Sequence, residues 1–200
     1  ALPIFCQVDE NLNITKFIDA RKQTGQKTLI EKYFDKGIYL LFADVGWYQT
    51  LDNSLIFNAY SKTSVEFLEL PKLDALEMYK KVMRSYLLSG SKDIKSKKYS
   101  SKSTNYKITK LSSKKFGLNT MIYINNEKDI SCLFNIEVIN PANTDPLVPK
   151  CDLTTGFSLK IAPESEEIII LRRKVKKNDL KDDELKIKES FQVLKSKKAD

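Results

Sequence analysis

Over residues 1–70 the apolar positions recur at every second residue more often than at helical spacing, and β-branched and aromatic side chains dominate them. That combination predicts strands. They are expected over residues 4–8, 14–18, 37–45, 54–61 and 65–70, separated by turn material at Asp9-Glu10-Asn11, Thr24-Gly25, Asp35-Lys36-Gly37 and Leu51-Asp52-Asn53. Residues 71–90 break the pattern. Leu76, Tyr79, Met83, Tyr86 and Leu87 return at three- and four-residue steps with Lys80, Lys81 and Arg84 between them, which predicts an amphipathic helix. Asp74 and Glu77 resemble a capping box, Pro71 stands just outside it, and Gly90 follows the last apolar turn.

The strand pattern resumes at residues 106–111, 118–124, 132–139, 157–161 and 167–173. Asn125-Asn126 and the run from Asn140 to Asn143 are turn chemistry, and Pro146 and Pro149 predict a stiff, extended loop. Near the end, Leu180, Ile187, Phe191 and Leu194 fall close to one helical stripe with Asp179 as N-cap, so residues 176–200 are expected as a charged helical tail. Strands grouped before and after one helix, without βαβ alternation, predict a mainly β protein: antiparallel sheets packed as a sandwich, with a connecting helix and a C-terminal helix. The expected organisation is a β-rich half over 1–70, a helix over 71–90, a linker over 91–105, a second β-rich half over 106–175, and the tail.

Composition changes this picture in one place. The chain of 200 residues has 42% hydrophobic residues, ample for a core, and a net charge of +8. Residues 1–90 carry 11 basic and 11 acidic side chains and residues 116–200 carry 14 of each, so the whole excess lies in 91–115. There nine lysines, among them Lys92, Lys95, Lys97, Lys98, Lys102 and Lys110, accompany one acid, Asp93. With five serines between 91 and 105, the segment reads as a solvated linker running into a strand. No apolar stretch approaches the length of a membrane-spanning helix. The N-terminus has neither a methionine nor the basic region of a secretory signal, which suggests a processed product or a piece of a longer chain. Cys6, Cys132 and Cys151 form an odd set without CxxC spacing, so buried neutral thiols in a reducing, intracellular compartment are expected, with a Cys132 to Cys151 disulfide as the alternative.

The run from Gly37 through Trp47, then Leu55 to Ser61 and Val65 to Pro71, resembles the closing strands of the C2-like β-sandwich that follows the protease core in calpains. The likeness extends through Phe116-Gly117-Leu118, Ile122 to Asn126, and the Phe157 to Pro163 and Ile168 to Arg172 segments, which look like a late strand pair in divergent calpain-related proteins. It covers residues 37–174. Where the family usually has Pro-Gly this chain has Pro163-Glu164, and its linker is richer in lysine. The resemblance implies a non-catalytic sandwich in a larger assembly, or the regulatory portion of a calpain-type protease whose core lies elsewhere. It also implies a cytoplasmic location, with cytoskeletal or ciliary association.

The chemistry agrees with a sandwich lacking a catalytic centre. There is no histidine, so neither a Cys-His dyad nor a Ser-His-Asp triad can be assembled, and no cofactor or phosphate-cradling motif occurs among six glycines. Asp44, Asp52, Asp145 and Asp152 fall short of the oxygens a calcium site takes and read as turn formers, so no metal is expected. Trp47 and Tyr48, beside Gly46, are candidates for an aromatic partner contact, against core packing of a lone tryptophan. Lys92, Lys95, Lys97, Lys98 and Lys102 are candidates for binding RNA, acidic lipid or an acidic protein surface. The segment's lack of arginine argues against a nucleic-acid reader. The function expected is therefore a binding or scaffolding module acting through protein contacts.

Overall fold

A computed structural model describes residues 2–21, 32–44, 56–69, 75–101, 106–113, 119–139, 144–149, 155–173 and 186–194. The chain divides into two compact units, Ala1–Val82 and Met83–Asp200, and the division falls inside helix α1 (Ala75–Leu88).

The first unit is built on an antiparallel sheet with β1 (Leu2–Val8) between β2 (Ile14–Ala20) and β3 (Ile38–Asp44). Alternation puts Ile4, Cys6 and Val8 on one face, where all three are buried, and the β1/β3 register sets Phe42, Leu40 and Ile38 opposite them. Tyr79 of α1 stacks on Phe42 with ring centroids 5.5 Å apart, so the first half of the helix covers this face. The β1 to β2 turn is organised by Asp9, whose Oδ1 accepts from the backbone of Asn11 and Asn13 at 2.9 and 2.8 Å. The bond donated by the Asn13 side chain, with those from the backbone, holds its carboxyl below the usual range.

The second unit is a sandwich. One sheet has the order β4 (Lys95–Ser101), β5 (Tyr106–Ser113), β6 (Asn119–Asn126), β10 (Glu166–Arg173), β8 (Thr144–Val148); the other has β11 (Ile187–Val193), β7 (Cys132–Val138), β9 (Gly156–Ile161). Every described pairing is antiparallel. Ile108, Ile122, Ile124, Ile169 and Leu171 from the first sheet meet Cys132, Phe134, Ile136, Val138 and Ile161 from the second in one buried cluster. The opposite face of the five-stranded sheet is covered by the second half of α1, where Met83, Tyr86 and Leu87 are buried. Burial on both faces accounts for the unbroken apolar run Met121-Ile122-Tyr123-Ile124 in β6. Gly156 permits β9 to reach β7, since a Cβ there would lie 2.0 Å from the Ile136 carbonyl oxygen.

Helix α1 keeps its expected identity within narrower bounds, and Asp74, the expected capping residue, lies outside the described residues. Gly90 ends it at φ 71°, a left-handed conformation natural to glycine, while the Ser89 N–H donates to the Tyr86 carbonyl at 3.0 Å. Several expectations are corrected. Residues 187–193 form a strand, not part of a C-terminal helix: Ile187 and Phe191 are four apart, a spacing common to both periods, and the actual alternation includes Glu189 and Val193. Leu180 and Asp179 lie outside the described residues. Within the expected linker, residues 95–101 form β4, in continuous register with β5. Pro146 sits inside β8, at the edge of its sheet, where a missing N–H is tolerated.

Residues 56–61 and 65–69, expected as strands, join no ladder among the described residues, and β3 ends at Asp44. Residues 157–161 and 168–172, expected as strands, lie in β9 and β10, one in each sheet of the second unit. The turn between them carries Glu164 at φ 48°, a left-handed conformation that favours glycine.

Candidate functional site

The lysine-rich segment begins directly after α1. Lys92 is exposed in a turn closed by the Ile94 N–H donating to the Ser91 carbonyl at 2.9 Å. Lys95, Lys97 and Lys98 are exposed on β4, which has β5 as its one strand neighbour among the described residues. Pleating puts Lys95, Lys97 and Tyr99 on one face and Lys98 on the other. The Tyr99 ring packs into the sandwich against Phe191 with centroids 4.7 Å apart, and Lys97 Nζ lies 4.7 Å from the Tyr99 ring centroid.

Asp93, the one acid of the segment, is engaged by α1 and β5. Its carboxylate accepts from the Tyr86 hydroxyl and from Ser113 Oγ at 3.1 Å. Burial, followed by the hydrogen bond with Asp93, pushes the Tyr86 phenol up. Among the described residues Lys95, Lys97 and Lys98 form no ion pair, so β4 presents uncompensated positive charge along a sheet edge. Lys102 lies outside the described residues, as do Trp47 and Tyr48, so the structure brings neither aromatic candidate into a described surface.

One lysine of the run is not solvated. Lys110 faces the sandwich interior from β5, opposite Ile124, and its Nζ pairs with Glu189 Oε2 from β11 in the other sheet. Their side chains are 10% and 17% exposed, so this is a charged tie between the two sheets. Its position beside Ile108, two residues away in an alternating strand, is the signal in the sequence that separates it from its exposed neighbours.

Two apolar surfaces lie in the first unit. Phe5, Phe34 and Tyr39 form a ring cluster with centroid separations of 5.1 to 6.0 Å on the face of the sheet opposite Ile4 and Cys6. An aromatic at Phe5, between the buried positions 4 and 6, was legible as an outward-facing ring. Residues 56–69 are exposed throughout, with Ile56, Tyr60 and Leu68 at 76%, 90% and 76% and Phe57, Val65 and Phe67 also exposed. Large apolar side chains at such exposure within one short segment are unusual on an isolated soluble domain.

The described cysteines do not have the environment of nucleophiles. Cys6 and Cys132 are free, buried thiols; burial pushes Cys6 up to about 12 and Cys132 in the same direction, the reverse of an activated nucleophile. The alternative disulfide through Cys132 is therefore not formed, and Cys151 lies outside the described residues. Among the described residues no three His, Cys, Asp or Glu side chains are grouped to hold a metal ion. Of the aspartates weighed for calcium, Asp44 ends β3 and Asp145 lies in β8, while Asp52 and Asp152 are outside the described residues. No helix of the described residues is long and apolar enough to cross a membrane.

One further charged group is structural. Arg84 of α1 donates through Nε and Nη2 to the Glu166 carboxylate, the latter bond at 2.8 Å, and the Tyr123 hydroxyl donates to the same carboxylate at 2.7 Å. Arg84 holds Glu166 below the usual carboxylate range, and burial pushes Tyr123 up to about 12. A carboxyl held low adds stability above its unfolded-state pKa of about 4.3 and loses it as pH falls through the lower folded-state value. Glu166 is 41% exposed, so solvent screening keeps the contribution small. Arg84→Met is expected to lower stability at pH 7 by roughly 0.5 kcal/mol. Urea unfolding at pH 7 and pH 3 checks this, and a gap from the parent that does not shrink in acid contradicts the assignment.

Comparison with known proteins found no matching family model, no matching curated protein and no matching solved structure. The fold defines the class as a mainly β protein with antiparallel sheets, one of its units a sandwich.

Proposed function

We propose that this chain is a non-catalytic binding module that acts through protein contacts in a larger assembly. The observation that carries the reading is the exposed apolar segment 56–69, whose large side chains gain most by transfer into a partner. The absence of histidine from the sequence supports the non-catalytic part, because a cysteine or serine nucleophile would have no imidazole base. Two buried free thiols fit an intracellular, reducing location. The resemblance to calpain-type sandwiches gives the assembly a form: either a calpain-related scaffold without a protease core, or the regulatory portion of a protease whose core is not in these residues.

The test is isolation of the chain from its native source under cross-linking, in parallel with a Phe67→Ser/Leu68→Ser variant. Both positions are exposed, so the variant is expected to keep its circular dichroism and melting midpoint while losing a specific set of co-purifying proteins. An identical set from parent and variant overturns this assignment of the contact surface.

A further inference from the structure

We infer that β4 is a receptor edge for an acidic, extended peptide, which adds to the five-stranded sheet as a further strand. The inference rests on the reading of the chain as a protein-contact module but uses a surface separate from residues 56–69. Three observations meet on β4. It is the terminal strand of its sheet among the described residues, so part of its backbone hydrogen-bonding capacity faces away from β5. It carries exposed lysines on both faces, Lys95 and Lys97 on one and Lys98 on the other, none of them ion-paired within the described residues. The acid nearest in sequence, Asp93, is held by Tyr86 and Ser113.

Lysines on an edge strand serve first as protection. Two copies meeting β4 to β4 would oppose like charges along the new ladder, which suppresses self-association. The same charges favour a strand bearing carboxylates, since those on one face fall beside Lys95 and Lys97 and one on the other beside Lys98, while the new backbone bonds supply affinity common to any sequence. Self-exclusion and selection for an acidic strand therefore arise from one set of side chains.

The geometry favours a peptide over the other polyanions. Tyr99, the aromatic residue of β4, is half-buried against Phe191 and has Lys97 Nζ 4.7 Å from its ring centroid, so its ring is already engaged and poorly placed for a base to stack on. The strand contains no arginine to clamp a phosphate with two donors. A lipid headgroup would meet the lysines and leave the edge carbonyls unpaired, whereas a peptide strand satisfies both.

The probe is a fluorescein-labelled peptide of alternating glutamate and valine, about eight residues long to match one strand. Its binding to the full chain is followed by fluorescence anisotropy at low salt, and amide hydrogen exchange of residues 95–101 is compared with and without peptide. Binding is expected, with slowed exchange at outward-facing β4 amides and weakening by added salt. Lys95→Glu/Lys97→Glu/Lys98→Glu is expected to reduce affinity roughly tenfold or more, and the corresponding triple glutamine variant by less. Both sets of changes lie on exposed positions, and unchanged circular dichroism verifies that the fold is kept. The Phe67→Ser/Leu68→Ser variant is expected to bind the peptide as the parent does. Failure to bind overturns the inference, as does binding without slowed exchange in β4, or equal affinity for an alternating lysine-valine peptide. Tighter binding of oligouridine or of phosphatidylserine vesicles, lost in the same charge-reversed variant, overturns it in favour of nucleic acid or membrane. A negative result here combined with loss of partners in the Phe67/Leu68 variant rejects the β4 site and leaves the wider protein-contact reading standing.

Discussion

Phe134→Ala is expected to destabilise the second unit by about 4 kcal/mol, the range for a fully buried phenylalanine whose cavity the surroundings fill only in part. Phe134 is wholly buried at the centre of β7 and contacts Phe191 at a centroid distance of 4.4 Å. That ring in turn packs on Tyr99, so one row of aromatic side chains runs from the three-stranded sheet to the edge of the five-stranded sheet. Removing the Phe134 ring from the inner end of this row leaves a void that neither sheet can close without parting from its own ladder. Urea unfolding followed by circular dichroism measures the loss. Leu133, half-exposed on the opposite face of β7, is the control: Leu133→Ala is expected to cost under about 1 kcal/mol. Equal costs at the two positions would mean that the sheets do not share the core described.

Glu189→Leu is expected to cost roughly 3 kcal/mol, because it leaves the Lys110 ammonium facing the interior without its counter-charge. This is the low end for a buried pair, as befits side chains that remain 10% and 17% exposed. The pair itself adds little net stability, since both charges were desolvated to form it. The double change Lys110→Met/Glu189→Leu is therefore expected to recover most of the loss and to match or exceed the parent. A thermodynamic cycle over the two singles and the double isolates the coupling. Additive effects would show that Lys110 and Glu189 act independently.

These two sites differ in how far they could be read beforehand. Phe134 lies in an alternating apolar strand, Cys132 to Val138, and its burial follows from that period alone. Charge density places Lys110 with eight other lysines, because it does not reveal which face of a strand a residue takes. Pairing with β6 sets that face, and the arrival of Glu189 from 79 positions away makes it tolerable. The tail departs from its expected helix for a related reason: Ile187 and Phe191 satisfy helical and strand spacing alike, and a ladder with β7 selects the strand. Residues 56–69 show the opposite failure. Their β-branched and aromatic residues have the composition of strands, but a strand also needs a neighbour to bond, and among the described residues they have none.

The absence of histidine, the concentration of the +8 charge in residues 91–115, the helix ending before Gly90 and the mainly β antiparallel class are properties of the sequence alone, because residue chemistry and local period decide them. Pairing and burial depend on contacts between distant segments, which no local pattern encodes. Tertiary structure alone divided the chain within α1, made an edge strand from a lysine-rich stretch, packed Tyr99 against Phe191, and left Lys95, Lys97 and Lys98 without acidic partners or a second strand neighbour among the described residues.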